Sequence, residues 1–170
     1  MDKNERIYVA GNGLVGTALV RKLVEQGYKN IVVRLKSELD LRDQEKVKHF
    51  FKTERPDYVI LAAAKVGGIN YNANYPADFI YDNLMIQSNV IDAAYRNEVK
   101  KLLFLGSACI YPKVTPQPIK EEYLLSSKLE TTNDAYALAK IAGLTMAKYY
   151  TKQYGLNTIS LMPEIGRAHV

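Results

Sequence analysis

A glycine-rich turn, Gly11-Asn12-Gly13-Leu14-Val15-Gly16, joins the first short apolar run of the chain, Ile7–Ala10, to a segment with helical periodicity. Such a turn lets the pyrophosphate of a dinucleotide reach backbone N–H groups and the positive end of the following helix. The turn alone is a weak signal, because many glycine turns at helix starts have no ligand. Its position at the first junction of a repeating pattern favours dinucleotide binding.

Four further apolar runs, each followed or preceded by a helical segment, continue this pattern along the chain. The runs cover residues 31–33, 58–62, 101–105 and 158–162, and the helical segments cover residues 43–53, 76–97 and 134–154 after a first one that stops at Gly27. Uniformly apolar strands that alternate with helices are typical of a parallel sheet. We therefore expect an α/β fold, a Rossmann-type doubly wound parallel sheet with helices on both faces. Its ligand crevice should lie at the carboxyl ends of the strands.

The composition of the 170-residue chain, 48% hydrophobic and 24% charged, is that of one ordinary globular domain. The net charge of +5 does not indicate a nucleic-acid partner, because Lys and Arg are scattered along the chain. No apolar run could span a bilayer, and the opening residues lack the pattern of a signal peptide. A single cysteine, Cys109, excludes an internal disulfide and fits a reducing compartment. We expect a cytoplasmic protein without membrane or nucleic-acid partners.

Two polar side chains with a capacity for proton transfer, Tyr136 and Lys140, lie four residues apart in the last helical segment and project from one face. There the ammonium of Lys140 can lower the pKa of the Tyr136 phenol, which then acts as a proton donor or acceptor. Ser107, just after the fourth strand, can hydrogen-bond a carbonyl or alkoxide oxygen. Cys109 is either an acid or base at a neighbouring carbon or a small buried hydrophobic residue. This set favours an oxidoreductase.

Hydrolysis by a Ser–His–Asp triad is disfavoured, because His49 lies within a helical segment and His169 lies in the final seven residues. No Cys/His cluster has the spacing of metal ligands, so we expect no metal site.

The residues after the second strand indicate which dinucleotide binds. The run Val33-Arg34-Leu35-Lys36 offers two cations and no carboxylate before Glu38. Sites that prefer NAD usually place an Asp or Glu there for the ribose hydroxyls, whereas NADP sites supply cations for the 2′-phosphate. The pattern favours NADP(H), and the alternative is a pair of exposed cations at a strand end.

Several longer stretches resemble the GDP-L-fucose synthases, which are GDP-4-keto-6-deoxy-D-mannose epimerase/reductases of the extended short-chain dehydrogenase/reductase family. The resemblance runs from about Ile7 to Pro163. The stretches are Leu61-Ala62-Ala63-Ala64-Lys65-Val66-Gly67-Gly68-Ile69, Tyr75-Pro76-Ala77-Asp78-Phe79-Ile80-Tyr81, Lys101-Leu102-Leu103-Phe104-Leu105-Gly106-Ser107, Cys109-Ile110-Tyr111-Pro112-Lys113 and Tyr136-Ala137-Leu138-Ala139-Lys140-Ile141-Ala142-Gly143.

The resemblance implies an activity, a cofactor and a set of site residues. In that family NADPH reduces C4 of GDP-4-keto-6-deoxy-D-mannose after epimerisation at C3 and C5. Tyr136 would be the proton donor, Lys140 its pKa partner and a ribose ligand, Ser107 the carbonyl-oxygen ligand and Cys109 an epimerisation acid/base. The implied cofactor-binding residues are Gly11, Gly13, Leu14, Val15, Gly16, Arg34, Lys36, Asp40, Leu41, Ala62, Ala63, Ala64, Leu105, Gly106, Lys140 and Pro163. The family also implies a homodimer built from the segments at 76–97 and 134–154.

The glycine loop departs from the family pattern, which usually reads Gly-x-x-Gly-x-x-Gly with His-Arg after the first glycine. Here either one residue is missing between Gly11 and Gly13, or Ala10 replaces the first glycine. The Arg that can help to hold the 2′-phosphate is absent, and Lys36 stands where the family often has another Arg. Because Lys lacks the bidentate fork of Arg, the preference for NADPH is less secure than in the family.

The end of the chain departs from the family as well. After Pro163 the chain ends with Glu164-Ile165-Gly166-Arg167-Ala168-His169-Val170. These seven residues are encoded by GAG ATC GGA AGA GCA CAC GTC. This nucleotide sequence matches the start of a common sequencing-library adapter. We interpret residues 1–163 as an NADP-binding Rossmann domain with the catalytic residues, and 164–170 as a non-native, adapter-derived tail. On this interpretation the C-terminal substrate domain is missing and the fragment is inactive alone.

Two other functions stay open at the level of the sequence. One is another NAD(P)-dependent nucleotide-sugar epimerase/reductase, and the other is a non-catalytic dinucleotide-binding sensor. Tyr136 and Lys140 argue against the sensor, since a sensor has no need of the pair.

Overall fold

The computed structural model describes residues 2–163 and contains one parallel sheet of five strands in the order β2-β1-β3-β4-β5. The strands are β1 (Ile7–Ala10), β2 (Ile31–Val32), β3 (Tyr58–Leu61), β4 (Lys101–Leu105) and β5 (Thr158–Leu161). The helices are α1 (Leu14–Glu25), α2 (Gln44–Glu54), α3 (Ile69–Asn74), α4 (Pro76–Arg96) and α5 (Asp134–Tyr154), with single 3-10 turns at Ala108–Ile110 and Glu121–Tyr123. The predicted Rossmann-type fold is confirmed, and the predicted strand ends are correct to within one residue. Residues 164–170 lie outside the described part.

The helix ends follow local signals. The Asp43 side chain caps α2 by accepting a hydrogen bond from the Lys46 amide, and Pro76 occupies the first turn of α4. Gly155 ends α5 in the left-handed conformation that glycine adopts without steric cost. These residues explain why the bounds of α4 and α5 could be predicted.

Helix α3 was not predicted, because its six residues show no apolar periodicity. It is held by contacts with other parts of the fold. The Tyr71 ring packs against Phe79 of α4 with ring centroids 5.3 Å apart, and the Asn72 amide donates to the Gly67 carbonyl over 2.7 Å. Such a helix owes its stability to tertiary packing rather than to its own sequence.

The helices lie on both faces of the sheet, but they cover them unevenly. Helices α2, α4 and α5 bury the larger core, which includes Tyr8, Phe51, Ile91 and Phe104. Helix α1 packs on the other face in a smaller core. On that face Ile159 and Leu161 of β5 pair with residues of β4 and stay 43% and 48% exposed. Among the described residues, no helix covers β4 and β5 on the side of α1.

Candidate functional site

A cleft of about 760 Å³ opens at the carboxyl ends of β1, β2 and β3, where the doubly wound topology predicts a ligand site. Most of the predicted cofactor-binding residues line it. They are the whole glycine loop from Gly11 to Gly16, Arg34, Lys36, Asp40, Leu41, Ala62, Ala63 and Ala64. The structure therefore brings together residues from three separate stretches of the sequence.

The three glycines of the loop each meet a different steric requirement. Gly11 has a φ of +117°, and a Cβ there would lie 2.6 Å from the Ala63 amide nitrogen. A Cβ at Gly16 would lie 1.8 Å from the Gly11 carbonyl oxygen. Gly13 precedes the first residue of α1, and a Cβ there would meet no atom within 4 Å. This arrangement matches a loop in which the first glycine makes the turn, the second lets a pyrophosphate approach and the third packs helix against strand.

The geometry also decides between the two alignments of the loop. Ala10 is buried in β1 and pairs with Leu61 of β3, so it belongs to the strand. Gly11 makes the turn. One residue is therefore missing between Gly11 and Gly13, and Ala10 does not replace the first glycine.

Of the two cations that follow β2, Arg34 is paired and Lys36 is exposed. The Arg34 guanidinium donates to a Glu54 carboxylate oxygen and to the Val33 carbonyl, and it lies over the Phe50 ring. No ion pair of Lys36 occurs within residues 2–163. The alternative of two exposed cations at the strand end does not describe Arg34, because α2 brings Glu54 against it. The contact of Arg34 and Lys36 with a 2′-phosphate stays a prediction.

A network of ion pairs, which the sequence did not reveal, lies beside Asp40 in the wall of the cleft. Arg42 binds both carboxylate oxygens of Asp40 and donates to Asp82 of α4 over 3.0 Å. Lys65, after β3, approaches Asp82 at 3.2 Å and Asp78 at 3.0 Å. Hydrogen bonds from Arg42 lower the pKa of Asp40 to about 2, so its carboxylate is ionised at neutral pH.

The backbone after β3 is clamped at the cleft by a buried amide. Asn83 of α4 accepts a hydrogen bond from the Lys65 amide and donates to the Lys65 carbonyl, both over 3.0 Å. It is 2% exposed. The clamp holds the backbone at Lys65, which directly follows Ala62, Ala63 and Ala64 in the wall of the cleft.

The predicted catalytic residues come together at the start of α5. The Ser107 hydroxyl accepts a hydrogen bond from the Cys109 amide over 3.3 Å, and it lies near enough to Tyr136 to affect the pKa of that phenol. Burial raises the pKa of Tyr136, the Cys109 side chain raises it further, and the bond to Ser107 lowers it. The phenol is thus protonated at neutral pH and lies on the same edge of the sheet as the Ser107 hydroxyl.

Lys140 lies beside Tyr136, as its spacing predicted, and it is buried there. Its ammonium donates to the Leu105 carbonyl over 2.8 Å and lies 5.9 Å from the centre of the Tyr136 ring. It is 4% exposed, and burial lowers its pKa to about 8. The net shift of the Tyr136 pKa is upward. Burial is the largest cause of this shift, and Lys140 is not among its causes, so the lowering of the Tyr136 pKa by Lys140 stays a prediction.

Three further predicted cofactor residues lie on the β4–β5 side of this edge. The Gly106 amide donates to the Leu161 carbonyl over 2.8 Å, and a Cβ at Gly106 would lie 2.4 Å from the Met162 sulfur. Leu105 supplies the acceptor for Lys140. Pro163 is exposed at the end of the described residues. None of these residues, nor Ser107, Tyr136 or Lys140, is among the described residues that line the 760 Å³ cleft.

We expect Lys140→Met to stabilise the chain at pH 7 by about 2 kcal/mol in urea unfolding. A pKa of about 8 against the usual 10.5 means that burial of the ammonium costs about 3 kcal/mol, and the lost bond to Leu105 offsets about 1 kcal/mol. The unfolded state binds more protons than the folded state only between pH 8 and 10.5, so the cost shrinks as the pH rises through that window. The advantage of Lys140→Met should shrink likewise.

The exposed Lys148 of the same helix gives a matched control, and Lys148→Met should change the free energy of unfolding by less than about 0.5 kcal/mol. A lower stability of Lys140→Met at pH 7, or an advantage that grows above pH 8, would contradict this account.

Within residues 2–163, no cluster of three or more His, Cys, Asp or Glu side chains could hold a metal ion. In the same part of the chain, no helix combines the length and the hydropathy that a membrane span requires.

The sequence pattern of the NAD dependent epimerase/dehydratase family matches residues 7–165. The chain belongs to this family. GDP-L-fucose synthase 1 of Arabidopsis thaliana is 60% identical over 163 residues, which cover 95% of this chain and 50% of that protein. GDP-L-fucose synthase of Escherichia coli K12 is 53% identical over 160 residues, 94% of this chain and 50% of that protein. The predicted resemblance is confirmed, and the chain spans about half the length of these relatives.

Solved structures agree with the sequence comparison. MlghC, a GDP-mannoheptose C4 reductase from Campylobacter jejuni with NADP bound, superposes with a TM-score of 0.93 and 47% identity, covering 95% of this chain and 52% of that one.

Proposed function

We propose that the chain is the cofactor-binding half of a GDP-L-fucose synthase. The reaction would be the NADPH-dependent 3,5-epimerisation and 4-reduction of GDP-4-keto-6-deoxy-D-mannose to GDP-L-fucose. The observation that carries the proposal is the grouping of Ser107, Cys109, Tyr136 and Lys140 at the carboxyl edge of the sheet. The similarity to the GDP-L-fucose synthases of Arabidopsis thaliana and Escherichia coli supports this choice.

The shape of the glycine loop supports the binding of NADP(H). The open space at Gly13 admits a pyrophosphate to the backbone at the start of α1, and Leu14 and Val15 lie exposed beside it. Bound NADPH would supply the hydride for C4. The implied contacts are the loop, Arg34 and Lys36 at the 2′-phosphate, Asp40, Leu41, Ala62 to Ala64, Leu105, Gly106, Lys140 and Pro163.

Each proposed catalytic residue has a role that fits its surroundings. Tyr136 donates a proton to the C4 oxygen, and its raised pKa keeps the phenol protonated before the reaction. Ser107, whose hydroxyl is near enough to lower the pKa of that phenol, orients the same oxygen. Lys140 adds positive charge beside the phenol as charge develops there. Cys109, partly buried next to Ser107, is the acid or base of the epimerisation.

Three finer statements belong to the same proposal. Residues 1–163 form the NADP-binding domain, and the 164–170 tail lies outside the described residues. The longer protein is a cytoplasmic homodimer, in which α4 and α5 pack against their copies. Exposed Tyr81 on α4 with Leu138 and Tyr149 on α5 support such a contact.

A direct test joins residues 1–163 to the second half of the Escherichia coli relative. We expect this chimera to consume NADPH and form GDP-L-fucose from GDP-4-keto-6-deoxy-D-mannose at a rate on the order of 1 s⁻¹ or more. The intact Escherichia coli relative is the control. A folded chimera that binds NADPH but accepts only another GDP-sugar, such as a heptose, would replace the proposed substrate. Bound NAD with no net consumption would indicate a 4-epimerase, and binding without any turnover would favour a sensor.

A further inference from the structure

Arg34 lies between two clefts, and its ion-pair partner Glu54 lies in one of them. Its guanidinium lines both the 760 Å³ cleft of the glycine loop and a neighbouring cleft of about 540 Å³ above α2. Glu54 belongs to the described residues that line the second cleft, and it does not belong to those that line the first. The guanidinium has five N–H donors and uses two of them, on Glu54 and Val33, so three donors are not engaged by these partners.

Glu54 is shared between two arginines. One carboxylate oxygen accepts from Arg34, and the other lies 3.1 Å from the Arg6 guanidinium, which also donates to the Glu54 carbonyl over 2.7 Å. The carboxylate is 20% exposed. Arg6, Glu54 and Arg34 therefore form a partly buried triad with one net positive charge, and the share of negative charge that falls on Arg34 depends on Arg6.

We propose that Glu54 is a specificity-determining residue that weakens the preference for NADPH over NADH by opposing the charge of Arg34. The inference rests on the proposed function, which puts the 2′-phosphate near Arg34 and Lys36. A 2′-phosphate that reaches Arg34 from the glycine-loop cleft gains the attraction of the guanidinium and meets the repulsion of the carboxylate behind it. The adenosine of NADH carries no 2′-phosphate and does not experience this opposition. Glu54 thus acts through Arg34 as a positioning residue and touches no ligand itself.

The decisive variant is Glu54→Gln in the 170-residue chain. The Gln oxygen still accepts from Arg34, so the guanidinium keeps its place while the opposing charge is removed. We expect the ratio of the NADH to the NADPH dissociation constant to rise about three- to tenfold in fluorescence titrations at low salt. The effect should decrease at high salt. A merely structural role of Glu54 would change both dissociation constants together and leave their ratio unchanged.

A second variant moves the ratio in the opposite direction. Arg6→Gln removes the other partner of Glu54 and leaves more of its charge opposing Arg34. We expect the same ratio to fall about two- to threefold. Glu45→Gln, on the exposed surface of α2 with a partner in Lys48, is the matched control and should leave the ratio unchanged. Circular dichroism establishes whether each variant is folded. If Glu54→Gln does not fold, the result for Arg6→Gln decides the test.

Lys36→Gln separates a failure of this inference from a failure of the proposed function. If Lys36→Gln lowers the ratio while neither Glu54→Gln nor Arg6→Gln changes it, the cofactor site stands and the role of Glu54 is wrong. If the unaltered chain binds neither nucleotide, or Lys36→Gln and Arg34→Gln both leave the ratio unchanged, the 2′-phosphate site is wrong and the role of Glu54 is wrong with it. Opposite shifts in Glu54→Gln and Arg6→Gln support the inference.

Discussion

Gly16→Ala should lower the free energy of unfolding by about 3 kcal/mol and abolish NADPH binding. The added Cβ would lie 1.8 Å from the Gly11 carbonyl oxygen, which is a backbone atom and cannot rotate away. Gly11 has little room to move either, because it packs so closely on β3 that even a Cβ there would lie 2.6 Å from the Ala63 amide nitrogen. The glycine loop must therefore separate from the sheet. Urea unfolding measures the loss of stability, and fluorescence titration measures the loss of NADPH binding.

Gly13→Ala is the matched control in the same loop. Its Cβ would meet no atom within 4 Å, and the φ of −73° suits alanine, so stability should change by less than about 0.5 kcal/mol. NADPH binding should still weaken, because the new methyl group projects into the open space that the pyrophosphate needs. Equal stabilities of the Gly16→Ala and unaltered chains would contradict the packing role of Gly16.

The parts of the fold that were predictable are those fixed by neighbours in sequence. The glycine loop, the strand Lys101–Leu105 and the helix Asp134–Tyr154 each carry local signals, in glycines, a short apolar run or a terminal Gly155. The same holds for Tyr136 and Lys140, since a spacing of four on a helix brings side chains together in any fold. Local signals therefore gave both the architecture and the core of the candidate catalytic group.

The parts that were missed depend on contacts between distant elements. Glu54 against Arg34, and Asp82 against Arg42, join residues 20 and 40 positions apart. No local pattern selects such partners, because the position of each helix on the sheet decides which charges meet. For this reason the sequence could not show that Arg34 is paired with Glu54 while Lys36 stays exposed.

The charge state of Lys140 illustrates the same limit at the catalytic group. Spacing placed the ammonium next to the phenol, but the direction of each pKa shift depends on burial, which arises from the packing of α5 on β4. Burial disfavours the charged form of both groups, so it raises the pKa of Tyr136 and lowers that of Lys140. The site thus holds a neutral phenol beside an amine whose protonated form is disfavoured by burial.

Tyr136→Phe should reduce the rate of C4 reduction by the chimera about 10²- to 10⁴-fold, which is the usual contribution of a positioned proton donor. The phenylalanine ring packs as the tyrosine ring does, so the NADPH dissociation constant should stay within about twofold of the unaltered value. Steady-state NADPH oxidation and fluorescence titration measure the two quantities. Tyr154→Phe, at an exposed position of the same helix, should retain full activity. A Tyr136→Phe chimera that reduces the substrate at the unaltered rate would exclude Tyr136 as the proton donor.

Cys109→Ser should produce the complementary defect, because the proposed mechanism assigns Cys109 to the epimerisation and Tyr136 to the reduction. We expect the Cys109→Ser chimera to reduce an already epimerised intermediate at nearly the unaltered rate. Its exchange of solvent deuterium into C3 and C5 should slow by about 10²-fold or more, as expected when a general acid or base is replaced. The two residues share Ser107 as a neighbour, so a general disturbance of the site would slow both steps together. Only separate functions give one variant that exchanges deuterium without reduction and another that reduces without exchange.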